Sequence, residues 1–130
     1  MSIPSDLLYS KDHEWVRVEN GVATCGITAF AVEQLEEVIY VSFIADDDNV
    51  SINDPVAEVE STKAVSEVYA PVSGELVESN ETLEDDAETI NSAPYEGGWL
   101  FKILLEDEEE LGELMSAAAY AEHIAEDADH

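Results

Sequence analysis

The feature that most limits how this chain can fold is the regular spacing of its turn residues. Short runs with β-type alternation follow one another, and each run ends in turn residues. Residues 15–19 alternate between apolar and polar, Asn20-Gly21 follows, and Val22–Ile27 forms a second apolar run. Asn-Gly between two such runs predicts a β-hairpin, since a type I′ turn needs positive φ at both central positions. The chain is therefore expected to begin as an antiparallel β structure.

Helical signals are few and lie in two places. Thr28 is predicted to be the N-cap of a short helix over Ala29–Leu35. Beyond the last strand pattern, Asp107 and the three acids after it form a start similar to a capping box, followed by apolar residues at helical spacing. These apolar residues are Leu111, Leu114, Met115, Ala118, Ala121 and Ala125. They predict one amphipathic helix from the acids to about residue 125.

Further strands are predicted between these helices, with turns at the acidic, proline and glycine positions. The runs cover residues 38–44, 55–60, 65–70, 75–78 and 99–105. Many short strands with one terminal helix predict a mainly β fold, a small barrel or sandwich on which the helix packs. At 130 residues we expect a single domain over residues 1–130, with a core over about 7–125 and frayed ends.

The length and apolar content fit a globular protein. The hydrophobic fraction is 45%, and no apolar stretch reaches the roughly 20 residues that a membrane span needs. The first residues lack the basic region and apolar run of a secretory signal, so we expect a cytoplasmic protein. Cys25 lies in an apolar strand pattern without a partner cysteine and is predicted to be a buried small side chain.

Charge limits the partners. The chain has 32 acidic and four basic residues and a formal net charge of −28. Such a chain should repel nucleic acid, anionic membranes and other copies of itself, so we expect a monomer without these partners. Self-repulsion also predicts a need for salt, typical of a salt-accumulating organism. Full folding without added salt would count against that hypothesis.

Motifs of catalysis or metal binding are absent. The chain has no glycine-rich phosphate loop, no Cys-x-x-Cys and no histidine pair at metal-ligand spacing. The acids are so numerous that nearly all are expected to form a solvated surface. The sequence therefore predicts neither a metal site nor a catalytic group.

Lys63 is the basic residue whose position is most informative. It lies in Ser61-Thr62-Lys63-Ala64, between two β-patterned runs. A lysine on such a turn extends its long stem into solvent, where an enzyme can reach it. Position alone leaves open whether Lys63 is an attachment point or an ordinary exposed lysine.

The residues around Lys63 carry a specific resemblance. Residues 59–80 resemble the lipoyl-attachment segment of the glycine cleavage system H proteins, and further matches follow in order over residues 7–125. These matches are His13-Glu14-Trp15, Gly26-Ile27-Thr28, Asn91-Ser92-Ala93-Pro94-Tyr95, Gly98-Trp99-Leu100 and the alanine-rich C-terminal helix. A biotinyl domain would carry Met-Lys-Met, and the lipoyl domains of 2-oxo-acid dehydrogenases typically carry Asp-Lys-Ala.

The resemblance implies a barrel-sandwich hybrid of the lipoyl/biotinyl type and a non-catalytic carrier with lipoic acid attached covalently to Lys63. Glycine decarboxylase (P protein) would load an aminomethyl group, aminomethyltransferase (T protein) would pass it to tetrahydrofolate, and dihydrolipoamide dehydrogenase (L protein) would reoxidise the dithiol. A lipoate ligase or a lipoyl/octanoyl transferase would attach the cofactor. Tethering would raise the effective concentration of the carried group.

The resemblance also assigns roles to three glutamates and one glycine. Glu60 and Gly74 match positions used in recognition by the lipoylating enzyme, although Gly74 is equally explained as a turn glycine. Glu14, and with weaker support Glu67, match acids that contact the aminomethyl arm when it folds back into a cleft. An acid there would attract the cationic amine.

Two positions depart from the family pattern, and two other functions stay open. Asp47 and Asn53 stand where members usually have glycine, and both residue types tolerate left-handed backbone better than most. Asp47 could alter recognition by a lipoylating enzyme. The same sequence could also serve as a lipoyl-relay donor for other complexes, which only transfer assays would distinguish. An unmodified structural module is the remaining alternative.

Overall fold

The computed structural model describes residues 3–128 and the side chains of residues 3–125. The frayed ends expected from the sequence lie partly outside the described residues, at residues 1–2 and 129–130. Within residues 3–128, nine strands and four α-helices follow one another. The strands are β1 Leu8–Tyr9, β2 Glu14–Glu19, β3 Val22–Ile27, β4 Val38–Phe43, β5 Asn49–Val50, β6 Pro55–Ser61, β7 Val65–Tyr69, β8 Gly74–Ser79 and β9 Phe101–Leu105. The helices are α1 Ala29–Leu35, α2 Thr82–Asp85, α3 Glu88–Ser92 and α4 Ala117–Ala128, with a 3-10 helix at Glu108–Glu113.

The strands form two antiparallel sheets. The six-stranded sheet has the order β1-β2-β3-β9-β8-β5, and the three-stranded sheet has the order β4-β6-β7. One hydrophobic cluster joins them: Cys25 and Phe101 of the larger sheet and Val41, Val59 and Val68 of the smaller one all belong to it. The predicted mainly β architecture with two packed sheets and short helices is therefore confirmed.

The first hairpin and the helix after it form where the sequence predicted them. Asn20 and Gly21 have φ of 52° and 78°, as the type I′ turn requires. Thr28 adopts an extended conformation, and its side chain accepts a hydrogen bond from the Ala31 amide, which caps α1. Cys25 is fully buried, and burial raises the pKa of its thiol well above the ordinary value. It is a core side chain, as predicted.

A second hydrophobic cluster anchors α4 against β1 and β2. Tyr120 of α4 and Tyr9 of β1 are both fully buried, and their rings stack with centroids 4.6 Å apart. The Tyr120 hydroxyl lies 2.7 Å from the Thr28 hydroxyl and 2.9 Å from His13 Nδ1. This network joins the N-cap of α1 to the terminal helix. It is consistent with His13 being a packing residue.

The prediction of one long C-terminal helix was wrong. Asp107 does act as a cap, since its side chain accepts from the Glu109 amide, but the helix that follows is 3-10 and ends at Glu113. Met115 then pairs through its backbone with Tyr9, with N–O distances of 2.7 and 2.9 Å. This pairing requires extended backbone, so the helical pattern cannot continue across it. The predicted apolar face is wrong only in its second half. Leu111, Leu114 and Met115 pack against the core, whereas Ala118 and Ala125 are exposed and Tyr120 is the buried side chain of α4.

Strand β1 is another element that the sequence analysis missed. Leu8 and Tyr9 pair with Val16 and Trp15, and a two-residue strand leaves too short a pattern to detect. Within residues 3–128, no helix combines the length and apolar character needed to cross a membrane.

Candidate functional site around Lys63 and Glu14

Lys63 lies at the tip of the hairpin that joins β6 to β7. Strand β6 ends at Ser61 and β7 begins at Val65, so the turn contains only Thr62, Lys63 and Ala64. Lys63 is exposed, and within residues 3–128 no hydrogen bond or ion pair of its side-chain amine is found. The amine is therefore accessible to an enzyme, as the sequence predicted.

The hydroxyl of Ser61 fixes this turn. It accepts hydrogen bonds from the amides of Lys63 and Ala64, at 3.1 and 2.9 Å, and donates to the Ala64 carbonyl oxygen at 2.9 Å. The Ser61 amide donates to the same carbonyl, and the Thr62 amide donates to the Glu37 carbonyl at 3.0 Å. The backbone below Lys63 is thus held while its stem stays free. Sequence reasoning assigned Ser61 no role, although a serine opening a turn is the available signal.

Glu60 and Gly74 lie on different sheets. Glu60 is on β6, three residues before Lys63, and is half-buried. Gly74 begins β8 with φ of 157°, and a Cβ there would lie 2.0 Å from the Leu104 carbonyl oxygen. The close approach of Leu104 explains the glycine without any partner. Roles for Glu60 and Gly74 in enzyme recognition stay predictions.

A cleft of about 220 Å³ lies beside the hairpin, between the open edge of β7 and helix α1. Its lining combines acids from the loop before β2, from the start of β2 and from β7 with apolar side chains of α1. The lining residues are Asp12, His13, Glu14, Ile27, Ala31, Gln34, Leu35, Val59, Ser66, Glu67 and Val68. The cleft therefore brings together Glu14 and Glu67, which are far apart in sequence. Its lining on β7 begins at Ser66, three residues after Lys63.

Glu14 is a buried carboxyl group, with 2% of its surface exposed. One carboxylate oxygen accepts from the Ser10 hydroxyl at 2.6 Å, and the other accepts from the Tyr69 amide at 3.2 Å. Burial raises the pKa of Glu14 to about 7, although these two hydrogen bonds oppose the shift, and the negative charge of Asp12 adds to it. A carboxyl group with this pKa changes its charge near neutral pH. Ser10 gave no signal in the sequence.

Glu67 is placed differently from Glu14. It is exposed on β7, and its carboxylate accepts a hydrogen bond from the Tyr69 hydroxyl at 3.3 Å. Alternation along the strand puts it on the same face as Val65, at the margin of the cleft. A cationic group in the cleft would therefore meet the carboxyl of Glu14 in a buried setting and that of Glu67 in a solvated one.

Asp47 and Asn53, the two residues that stand where family members usually have glycine, form their turns in different ways. Asn53 has φ of 75°, the left-handed conformation that asparagine tolerates. Asp47 instead uses its side chain, which accepts from the Asn49 amide at 3.0 Å. Both turns form without glycine.

Comparison with known proteins identifies the family. The family model described as "Glycine cleavage H-protein" matches residues 7–127. Proteins named glycine cleavage system H protein from Staphylococcus saprophyticus and Staphylococcus haemolyticus are 50% and 49% identical, over 97% of this chain and 100% of each relative. A crystal structure of a glycine cleavage system H protein from Mycobacterium marinum superposes with a TM-score of 0.85, at 38% identity, covering 95% of this chain and 99% of that one.

These matches extend over nearly the whole chain, include both the Lys63 hairpin and the Glu14 cleft, and agree in sequence and in fold. The chain belongs to the glycine cleavage H-protein family.

Proposed function

We propose that Lys63 carries a covalently attached lipoyl group, and that this arm transports the aminomethyl group derived from glycine. As a member of its family, the chain is a carrier component of the glycine cleavage system and is not itself a catalyst. The observation that supports Lys63 most strongly is its position at the tip of a turn fixed by Ser61, with its amine in solvent.

The residues of the turn fit an attached arm. Five hydrogen bonds hold the turn: three that involve the Ser61 hydroxyl, one from the Ser61 amide to the Ala64 carbonyl, and one from the Thr62 amide to the Glu37 carbonyl. The lysine stem has no such restraint, so an attached group can swing while its anchor stays in place. A lipoyl group held on Lys63 would supply a dithiolane as the reactive end that carries the aminomethyl group.

The Glu14 cleft offers a resting place for the loaded arm. The carried amine is a cation, and the carboxyl of Glu14 attracts it when ionised, more strongly in a buried site than in water. The apolar side chains of α1, such as Ala31 and Leu35, would exclude water from the rest of the arm. Glu67 would add attraction at the margin, weakened by solvent.

The proposed partners are the glycine decarboxylase, the aminomethyltransferase and the dihydrolipoamide dehydrogenase, together with a lipoate ligase or a lipoyl/octanoyl transferase. Each of the first three would act on the end of the arm in turn. The enzyme that attaches lipoate would act on the Lys63 amine itself. A cytoplasmic location stays a prediction from the sequence.

Intact mass of the protein purified from its native host tests the proposal, with peptide mapping of residues 59–70. A lipoyl-sized increment on Lys63, absent from a Lys63→Ala variant, is the expected result. An unmodified Lys63 in a lipoate-replete cell would overturn the assignment of the cofactor to this residue.

A further inference from the structure

Exposed apolar side chains gather beside Lys63. Among the described side chains, the large apolar residues most open to solvent include Ile39, Tyr40 and Val65, which are 54%, 43% and 60% exposed. All three lie on the three-stranded sheet, on the strands at either side of β6. Val65 is the first residue of β7, two positions after Lys63.

Glu60 joins these side chains into one surface. In the sheet register Tyr40 is opposite Glu60, and Glu60 is opposite Val65. Residues directly opposite one another point to the same face, so Tyr40, Glu60 and Val65 form a row across the outer face of the sheet. We call Ile39, Tyr40, Glu60 and Val65 the outer patch.

A β-bulge in β4 creates part of this surface. The register shifts between Val38 and Tyr40. Val38 is 2% exposed, yet both Ile39 and Tyr40 face solvent. Regular alternation would turn one of these two neighbours inward, and bulges of this kind commonly re-aim side chains next to functional sites. The strand thus departs from alternation where it exposes apolar area beside Lys63.

We propose that the outer patch is the docking surface for the enzyme that attaches the lipoyl group to Lys63. The inference rests on the proposed function. The partner surface would offer an apolar depression for Tyr40 and Val65, and a basic side chain for Glu60 at the centre of the row. Glu60 would then be part of a contact surface that also includes Ile39, Tyr40 and Val65.

The short reach of lysine favours this partner over the others. Nζ sits on a four-carbon stem, while neighbouring strands lie about 4.8 Å apart. An enzyme that brings Nζ into its active site must therefore cover the strands beside the turn, where the outer patch lies. Enzymes that act on the dithiolane meet the far end of a longer arm and need no such cover.

The chemistry of attachment also benefits from apolar cover. Nζ attacks the carbonyl carbon of an activated lipoyl donor, an acyl adenylate or an acyl thioester. The amide bond forms, the bond from that carbon to the activating group breaks, and Nζ gives up its proton. Only the neutral amine attacks, and removal of water from a lysine favours its neutral form. The outer patch supplies apolar surface for a partner to close over the turn.

The test compares two double variants of the full chain. Tyr40→Thr with Val65→Thr removes apolar area from the outer patch and keeps a residue suited to strands. Val77→Thr with Leu104→Thr is the matched control, since these side chains are 48% and 44% exposed on the other sheet. Purified lipoate ligase, lipoate and ATP are added, and intact mass follows attachment over a range of carrier concentrations.

We expect the outer-patch variant to raise the KM for the carrier by at least about tenfold with little change in kcat, because contact area is lost and the chemistry is not. The control should match the unaltered chain. Once fully lipoylated, both variants should be substrates for the glycine decarboxylase with unchanged KM. Melting temperatures establish that the variants are folded, and the single Val65→Thr change repeats the test if the double variant is not.

Three results would overturn the inference. One is an unchanged KM for the outer-patch variant, and another is an equal rise in the control. The third is an equal defect with the decarboxylase, which would make the patch a general contact for all partners. If the unaltered chain accepts no lipoyl group, or Lys63→Ala still accepts one, the proposed function fails and this inference with it.

Discussion

Lys63 and Glu14 are held in opposite ways, although the hairpin that carries Lys63 also lines the cleft that contains Glu14. The turn below Lys63 is fixed by backbone and serine hydrogen bonds, and the charged amine is left in solvent. Glu14 is withdrawn from solvent, and hydrogen bonds reach the carboxyl group itself. The first arrangement controls where a group is attached without changing its chemistry. The second changes the ionisation of the group and leaves it little freedom to move.

This difference suits the two tasks of a carrier. An anchor for a swinging arm needs a fixed base and a free stem, because movement is its function. A resting site for a cation needs a negative charge that water does not screen. The following predictions test each half of the contrast, from the largest effect to the smallest.

Replacement of Lys63 by arginine should abolish lipoyl attachment completely. Arginine keeps the positive charge and the long stem, but its guanidinium stays protonated and cannot act as the attacking amine. Unfolding by urea should be unchanged, since the Lys63 side chain has no partner within residues 3–128. Intact mass measures attachment, and Lys11→Arg, at another exposed lysine, is the control. Attachment to the arginine variant would place the site elsewhere.

Replacement of Glu14 by glutamine should stabilise the protein at pH 8 and leave its stability unchanged below pH 4.5. The native pKa is about 7 against 4.5 for the free group, so the native state holds a proton that the unfolded chain releases. The stability that this proton provides is complete below pH 4.5 and is lost as pH rises through 7. The shift corresponds to about 3 kcal/mol at pH 8.

Urea unfolding of both proteins in high salt at pH 4.5 and pH 8 measures this difference. Comparison of the two chains at each pH cancels the repulsion among the other acids. Glu67→Gln, at an exposed carboxyl group that lines the same cleft, is the control. An equal free energy of unfolding for the Glu14→Gln variant and the unaltered chain at pH 8 would contradict a raised pKa.

The rate at which the loaded arm loses its aminomethyl group should depend on the charge of Glu14. Above pH 7 the ionised carboxyl attracts the cationic amine, and attraction fades as the carboxyl takes up a proton. The cation itself favours the ionised form, so the midpoint of the loaded carrier should lie below 7. We expect Glu14→Gln to lose the aminomethyl group about tenfold faster than the unaltered chain at pH 8, which corresponds to about 1.4 kcal/mol.

The ratio of the two loss rates from pH 5 to pH 8 is the measurement, because a ratio removes the pH dependence of the hydrolysis itself. The ratio should approach one at pH 5. A ratio that stays constant across this range would mean that Glu14 acts through packing and not through charge.

Replacement of Ser61 by alanine should destabilise the protein only slightly. Three hydrogen bonds of an exposed hydroxyl are lost, and water replaces them, so we expect about 1 kcal/mol of destabilisation. Amide hydrogen exchange at Lys63 and Ala64 should nevertheless accelerate, because these amides lose their acceptor. Ser51→Ala, at another exposed serine, is the control. Unchanged exchange at both amides would contradict a role for the Ser61 hydroxyl in fixing the turn.

Local signals in the sequence predicted much of the fold. The Asn20-Gly21 hairpin and the Thr28 cap depend on contacts within a few residues, so the local sequence was enough to locate them. The turn at Lys63 was found in the same way. The C-terminal helix was not, because the backbone pairing of Met115 with Tyr9 joins residues that are distant in the chain. Strand β1 was missed because two residues leave too short a pattern to detect.

The candidate site likewise has some properties that follow from local sequence and others that depend on tertiary packing. The sequence by itself determined that Lys63 is on an exposed turn between strands, since alternation and turn residues are local properties. Only the tertiary structure decided that Glu14 is buried, that Ser10 and Tyr69 bond to it, and that Glu67 lies at the same cleft. The pKa of a carboxyl group depends on the solvent and charges around it in space, and these are set by packing between segments far apart in the chain.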